Sequence, residues 1–140
     1  MQGLENHLKF VPRVPFEECL HLEKESDAFV LTAYGDLKGI PSSKLYSYVA
    51  HRKPVFLCPS DFDVIDQTLT ACGIGFIAQD AKSIFEKLDE VIAKHCEGTL
   101  VSYMKEKINE DAVRGFSRKE QIKLLANLLN DTAQNLMVYP

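Results

Sequence analysis

The chain has 140 residues, 46% hydrophobic and 26% charged, the length and balance of one globular domain able to bury a real core. Its net charge of −4 argues against a broad nucleic-acid surface, which needs a basic excess, but leaves room for a local basic pocket holding a phosphate. No apolar run approaches the roughly 20 residues that span a bilayer, so no transmembrane segment is expected.

In chain order, Leu8 to Val11 reads as a short strand ended by Pro12 and Pro15. Phe16 to Lys24 reads as a helix, with Glu17 and Glu18 in its first turn. Ala28 to Ala33 is a continuous apolar run, the pattern of a strand covered on both faces. A Gly-Ile-Pro loop, Gly39 to Pro41, opens a helix from Ser43 to His51, and Val55 to Cys58 is the next strand. Asp63 to Cys72 reads as helix with Gly73 as its stop, and Gly75 to Ala78 as a fourth strand. Asp80 caps a helix whose Ile84, Phe85, Leu88, Val91 and Ile92 make one apolar face.

Beyond Gly98 the pattern is helical only. Leu100 to Asn109 is one candidate helix. Ser117-Arg118-Lys119-Glu120 is a capping box that opens a long helix to about Asn135. Ile122, Leu125, Leu129 and Ala133 form its expected core stripe, with Leu124 and Leu128 as a second strip beside it. The second strip either widens the buried face or touches another domain or subunit. Strands separated by helices pair in parallel through right-handed crossovers. The expected fold is therefore α/β: a Rossmann-like parallel sheet of about four strands flanked by helices, with a helical C-terminal end. Ligands are expected beyond the carboxyl ends of the strands. The Pro-Arg-Val-Pro loop and the Gly-Ile-Pro loop both open there.

Cys19, Cys58, Cys72 and Cys96 form no C-x-x-C pair, so buried reduced thiols and a cytoplasmic setting are expected. His7, His21, His51 and His95 show no metal-ligand spacing with cysteine and are read as surface or core-edge residues. No cofactor is expected. The first ten residues, MQGLENHLKF, lack a basic-then-apolar layout, so no signal peptide is expected. There is no Walker loop and no G-x-S-x-G elbow, and Gly73-Ile74-Gly75 precedes a strand, the wrong context for a dinucleotide fingerprint. Asp61 and Asp63 follow a strand, but helix-start capping accounts for them better than an acidic metal or phospho-acceptor site. Arg118 and Lys119 read as solvated charges.

The most informative segment is Gly39 to Ser60, GIPSSKLYSYVAHRKPVFLCPS. Its tight Gly-Ile-Pro backbone feeds a helix that Ser42 or Ser43 can cap, leaving first-turn amides facing outward as an anion site. Lys38 and Lys44 flank that turn, as surface lysines or as phosphate contacts. Leu45, Tyr48 and Val49 share the core side of the helix, while Ser43, Tyr46 and Ser47 lie on a face open to a ligand.

These residues resemble the carboxy-terminal, donor-binding domain of GT-B glycosyltransferases of the bacterial polysaccharide type. LKFVPRVPFEEC is similar to the strand and loop beside the nucleotide base. SDAFVLTAY resembles the next strand, and PSSKLYSYVAHRKPVFLCPS the family's P-x-K-L-x-E-Y-x-A-x-x-K-P-V helix and strand. GIGFIAQDAKSIFEKLDEVI and GFSRKEQIKLLANLL resemble the last strand with its helix and the closing helix. The resemblance implies one partial domain over residues 1–140, binding a nucleotide diphosphate sugar, with Arg13, Val14 and Pro15 beside the base. Gly39, Ile40 and Pro41, with Ser42, Ser43 and Lys44, would meet the pyrophosphate or sugar. It implies a role for Ser47 at the ribose, where the family usually carries glutamate. On this basis Ser47→Glu is expected to tighten nucleotide binding. Two further strand–helix units and an acceptor domain would lie outside the matched segments, so no catalytic base is assigned. The implied activity is sugar transfer from a nucleotide diphosphate sugar to an acceptor hydroxyl, with the isolated chain inactive. The alternative is a non-catalytic module that assembles with a partner chain, or with a second copy, through the sheet edge or the Leu124–Leu128 strip.

Overall fold

The computed structural model describes residues 3, 5–35 and 37–136. After a short 3-10 turn at Glu5–His7, the first helix is α1 (Phe16–Glu25), followed by strand β1 (Phe29–Leu31). Helix α2 (Ser43–His51) leads to β2 (Val55–Leu57), and α3 (Val64–Cys72) to β3 (Gly75–Ile77). Helices α4 (Ala81–Cys96), α5 (Leu100–Lys107), α6 (Glu110–Gly115) and α7 (Arg118–Leu136) follow. The sheet has three strands in the order β1-β2-β3, all parallel, with Phe29 beside Val55 and Val55 beside Gly75. The α/β class and the helical C-terminal end agree with the sequence.

The expected count of four strands is corrected to three among the described residues. Leu8 to Val11 is irregular, and Leu8, Phe10 and Val11 are exposed. An apolar run becomes a strand only when a neighbouring edge completes its ladder of hydrogen bonds. Pro12 and Pro15 remove two amides from the segment that follows directly. β1 is also not covered on both faces. Phe29 and Leu31 are buried, but Val30 between them is 70% exposed. The strand sealed on both faces is the central one, β2, whose three residues are all buried.

The core gathers around β2. Leu45 and Val49 come from α2, Ile65 and Leu69 from α3, and Ile74 from the approach to β3, each almost wholly removed from water. Phe29 stacks on Tyr48 with ring centroids 4.0 Å apart, fixing α2 against β1. Gly73 ends α3 in the left-handed region, φ +71°, and a Cβ there would meet the Lys107 carbonyl oxygen at 2.0 Å. The missing side chain lets the end of α5 close onto α3, where the Asn109 amide donates to the Cys72 carbonyl at 3.0 Å. On α4 only part of the expected face is covered: Val91 is buried, whereas Phe85 and Ile92 are exposed. The α7 stripe is corrected more fully, since Ile122, Leu125 and Leu129 are all exposed. The helix is amphipathic as read, but little of the described chain lies over its apolar side. Likewise only Cys72 of the four free cysteines is buried; Cys96 is exposed, and Cys19 and Cys58 are half-buried. No helix of the described residues is long and apolar enough to cross a membrane.

Candidate functional site

The loop from β1 to α2 and the connection from β2 to α3 meet at the carboxyl edge of the sheet. Ser42 caps α2: its backbone is extended (φ −66°, ψ 138°), and its hydroxyl accepts from the Lys44 amide at 3.3 Å. The Leu45 amide closes on the Ser42 carbonyl at 3.0 Å. The Lys44 amide thus has an internal partner, and the Ser43 amide is the first-turn donor placed to meet a ligand. Ser42 is buried, while the side chains of Ser43 and Lys44 are exposed. A cleft of about 220 Å³ lies beside this turn, between Val30, Thr32 and Tyr34 on one side and Ser42, Ser43 and Lys44 on the other.

A larger cleft of about 820 Å³ runs along the outward face of α2. Ser43, Tyr46, Ser47 and Ala50 form one wall; Phe16 from the start of α1, Phe116 from just before α7, and Arg118 and Gln121 from the first turns of α7 form the other. Ser43 borders both clefts. Tyr46 and Phe116 lie with centroids 5.8 Å apart across it. Of the sequence-derived residues, Ser42, Ser43, Lys44 and Ser47 therefore stand together. Arg13 and Val14 precede Pro15, the residue at the N-terminus of α1, next to the wall residue Phe16. Gly39, Ile40 and Pro41 line neither cleft. Instead Gly39, at φ +70°, gives its amide to the Asp63 carboxylate. Lys38 gives its ammonium to the Asp61 carbonyl. The Gly-Ile-Pro loop is thereby fastened to the start of α3.

Sequence reasoning missed Glu23. Its side chain, 13% exposed, sits between α1 and α2, where the Ser47 hydroxyl donates to its carboxylate. His51 Nε2 lies 3.1 Å from the same oxygen. With its proton held there, Ser47 presents oxygen lone pairs to any further partner and so accepts rather than donates. Tyr48, beside this carboxyl, has its phenol held above the ordinary range, by burial first and then by the negative charge of Glu23. Nothing in the one-dimensional pattern of α1 marks Glu23; it gains its role from the crossing with α2. Arg118, read as a solvated charge, lines the cleft.

Asp61 is committed to structure. Its two oxygens accept from the Ile65 and Asp66 amides, each at 2.9 Å, and from the Asp63 amide at 3.2 Å. Burial pushes its pKa up, yet the amide hydrogen bonds win and the net shift is downward. The capping reading of this acidic pair therefore lies with Asp61, since Asp63 makes no side-chain cap bond. No group of three or more histidine, cysteine, aspartate or glutamate side chains suited to a metal stands among the described residues. Comparison of the chain with known protein families, with curated proteins and with solved structures returns no match, and nothing in those comparisons identifies a glycosyltransferase domain.

Proposed function

We propose that this chain is the donor-binding portion of a glycosyltransferase, holding a nucleotide diphosphate sugar while the sugar passes to an acceptor hydroxyl. The reading rests on the sequence resemblance. One observation carries it further: Ser43 and Ser47 share the wall of one open cleft, and Phe16, which follows Arg13–Pro15, stands in the other. In this reading the base and ribose lie between Phe16 and the outer face of α2. The diphosphate meets the Ser43 amide and the Lys44 ammonium at the α2 start. Their part in the chemistry is electrostatic. As the bond from the sugar carbon to the diphosphate oxygen breaks, the departing oxygens gather charge that Lys44 and the helix terminus offset. The acceptor oxygen forms the new bond, and its proton leaves on a base outside these residues. Ser47 accepts from a ribose hydroxyl while Glu23 holds the serine proton, so the carboxylate acts one bond removed. A cytoplasmic setting goes with this reading, in keeping with four free thiols.

The test is NMR shift mapping with uridine and guanosine diphosphates. Shifts centred on Ser43 to Ser47 are expected, with Lys44→Ala weakening binding, more so at low salt than at high. The absence of shifts there for either nucleotide defeats the reading. A second reading, a non-catalytic module that assembles with a partner chain, is favoured by the exposed Val30 on an edge strand and by the uncovered apolar side of α7.

A further inference from the structure

We propose that two copies of this chain pair through α7, side by side and antiparallel, about a two-fold axis at residue 127. The observation is a self-complementary pattern on an uncovered helix. Ile122, Leu125, Leu129 and Thr132 follow each other at intervals of three, four and three residues, the spacing of a coiled-coil seam. Ile122, Leu125 and Leu129 are each more than half exposed, as are the neighbouring Leu124 and Leu128. Lys119, Lys123, Asn127 and Asn130 occupy the opposite side of the helix.

Antiparallel pairing matches this pattern position by position. Leu125 lies as far before residue 127 as Leu129 lies after it, so each meets the other on the partner copy. Ile122 and Thr132 are related in the same way. Leu128 of the two copies then flanks the seam from either side. Such a contact is isologous and closes at two subunits. The orientation also sets the helix dipoles against each other. The area suffices: five large apolar side chains at roughly 100 Å² each leave about 1,000 Å² for two copies to bury, the lower bound of a specific interface. A parallel pair would instead stack Thr132 on its own copy.

Sedimentation of the whole chain across a concentration series from about 5 to about 500 µM tests this, the range suited to an interface of that size. The parent is expected to shift from monomer to dimer. Leu125→Glu alone and Leu129→Lys alone are expected to weaken association at least about tenfold. The double variant Leu125→Glu/Leu129→Lys is expected to recover it, because antiparallel pairing brings each new acid against the partner's new base. Parallel pairing predicts the reverse for the double variant, with like charges opposed. Both substitutions lie on an exposed face, and unchanged circular dichroism verifies the fold of all three variants. A parent that stays monomeric throughout, or a double variant no better than the single ones, overturns the proposal. A strip covered by a different domain or protein gives the first of those results.

Discussion

Asp61 is 5% exposed and ionised at neutral pH because three backbone amides face its two oxygens. Its pKa is lower folded than unfolded, so its contribution is present above the ordinary carboxylate range. That contribution is lost as pH falls through the folded value. Asp61→Ala is expected to lower stability at neutral pH by about 1–2 kcal/mol, the usual cost of a lost cap. The loss is expected to shrink as pH falls through the folded value and the carboxylate takes up its proton. Urea unfolding at neutral pH and at a series of acid pH values checks the sign; an equal loss throughout would rule out the linkage. Ser47 offers a second expectation at this scale. Ser47→Ala should weaken nucleoside diphosphate binding about fivefold, the value of one hydrogen bond. It should also remove any preference for ribose over its deoxy form. Glu23→Gln should move that preference in the same direction, which a purely structural role would leave alone. Ser47→Glu, expected from the sequence to tighten binding, would set a second carboxylate against Glu23. Repulsion and a lost hydrogen bond are now expected to cancel that gain. Titration by NMR separates these outcomes.

Among the elements, those with their own start and stop signals were legible. α2 spans Ser43–His51 as read, because Ser42 caps it and Leu45 and Val49 fall on one face. α3 stops at Gly73 and α4 starts at Asp80, whose carboxylate accepts from the Ser83 amide at 2.8 Å. α6 was missed, being only six residues long and too short to show a period. The strand at Leu8–Val11 and the buried α7 stripe failed for a shared reason. Periodicity reports which side of an element is apolar, and only the neighbours decide whether that side is covered. The site divides the same way: Ser43, Lys44 and Ser47 come from one helix, whereas Glu23, Phe116 and Arg118 arrive from distant positions that no local pattern links. Gly73→Ala belongs to this scale. Its Cβ would need the space of the Lys107 carbonyl at a left-handed φ, so a loss of about 2 kcal/mol or more is expected by thermal or urea unfolding. α1 has no buried residue and hangs on polar contacts. Glu23 meets Ser47 and His51, and Lys53 reaches the Lys24 carbonyl at 2.5 Å.

Over the whole molecule, stability is unevenly distributed. Val55, Leu57, Ile65, Leu69 and Ile74 are almost completely enclosed, while α1 and the far half of α7 have few apolar neighbours. In the monomer, hydrogen exchange is expected to be slowest in β2, β3 and α3 and fastest in α1 and the far half of α7. Uniform protection along the chain would contradict this picture. At the carboxyl edge of the sheet, Lys38 and Gly39 hold the Asp61 carbonyl and the Asp63 carboxylate. Two connections that leave neighbouring strands thus form a single brace. Whatever settles against Ser43 and Lys44 meets a loop already fastened one strand away. A guest that draws the Gly39 amide to itself must release the Asp63 carboxylate and loosen the first turn of α3. The exchange runs both ways with the same free energy, so a change that steadies that turn makes the mouth at α2 harder to reshape.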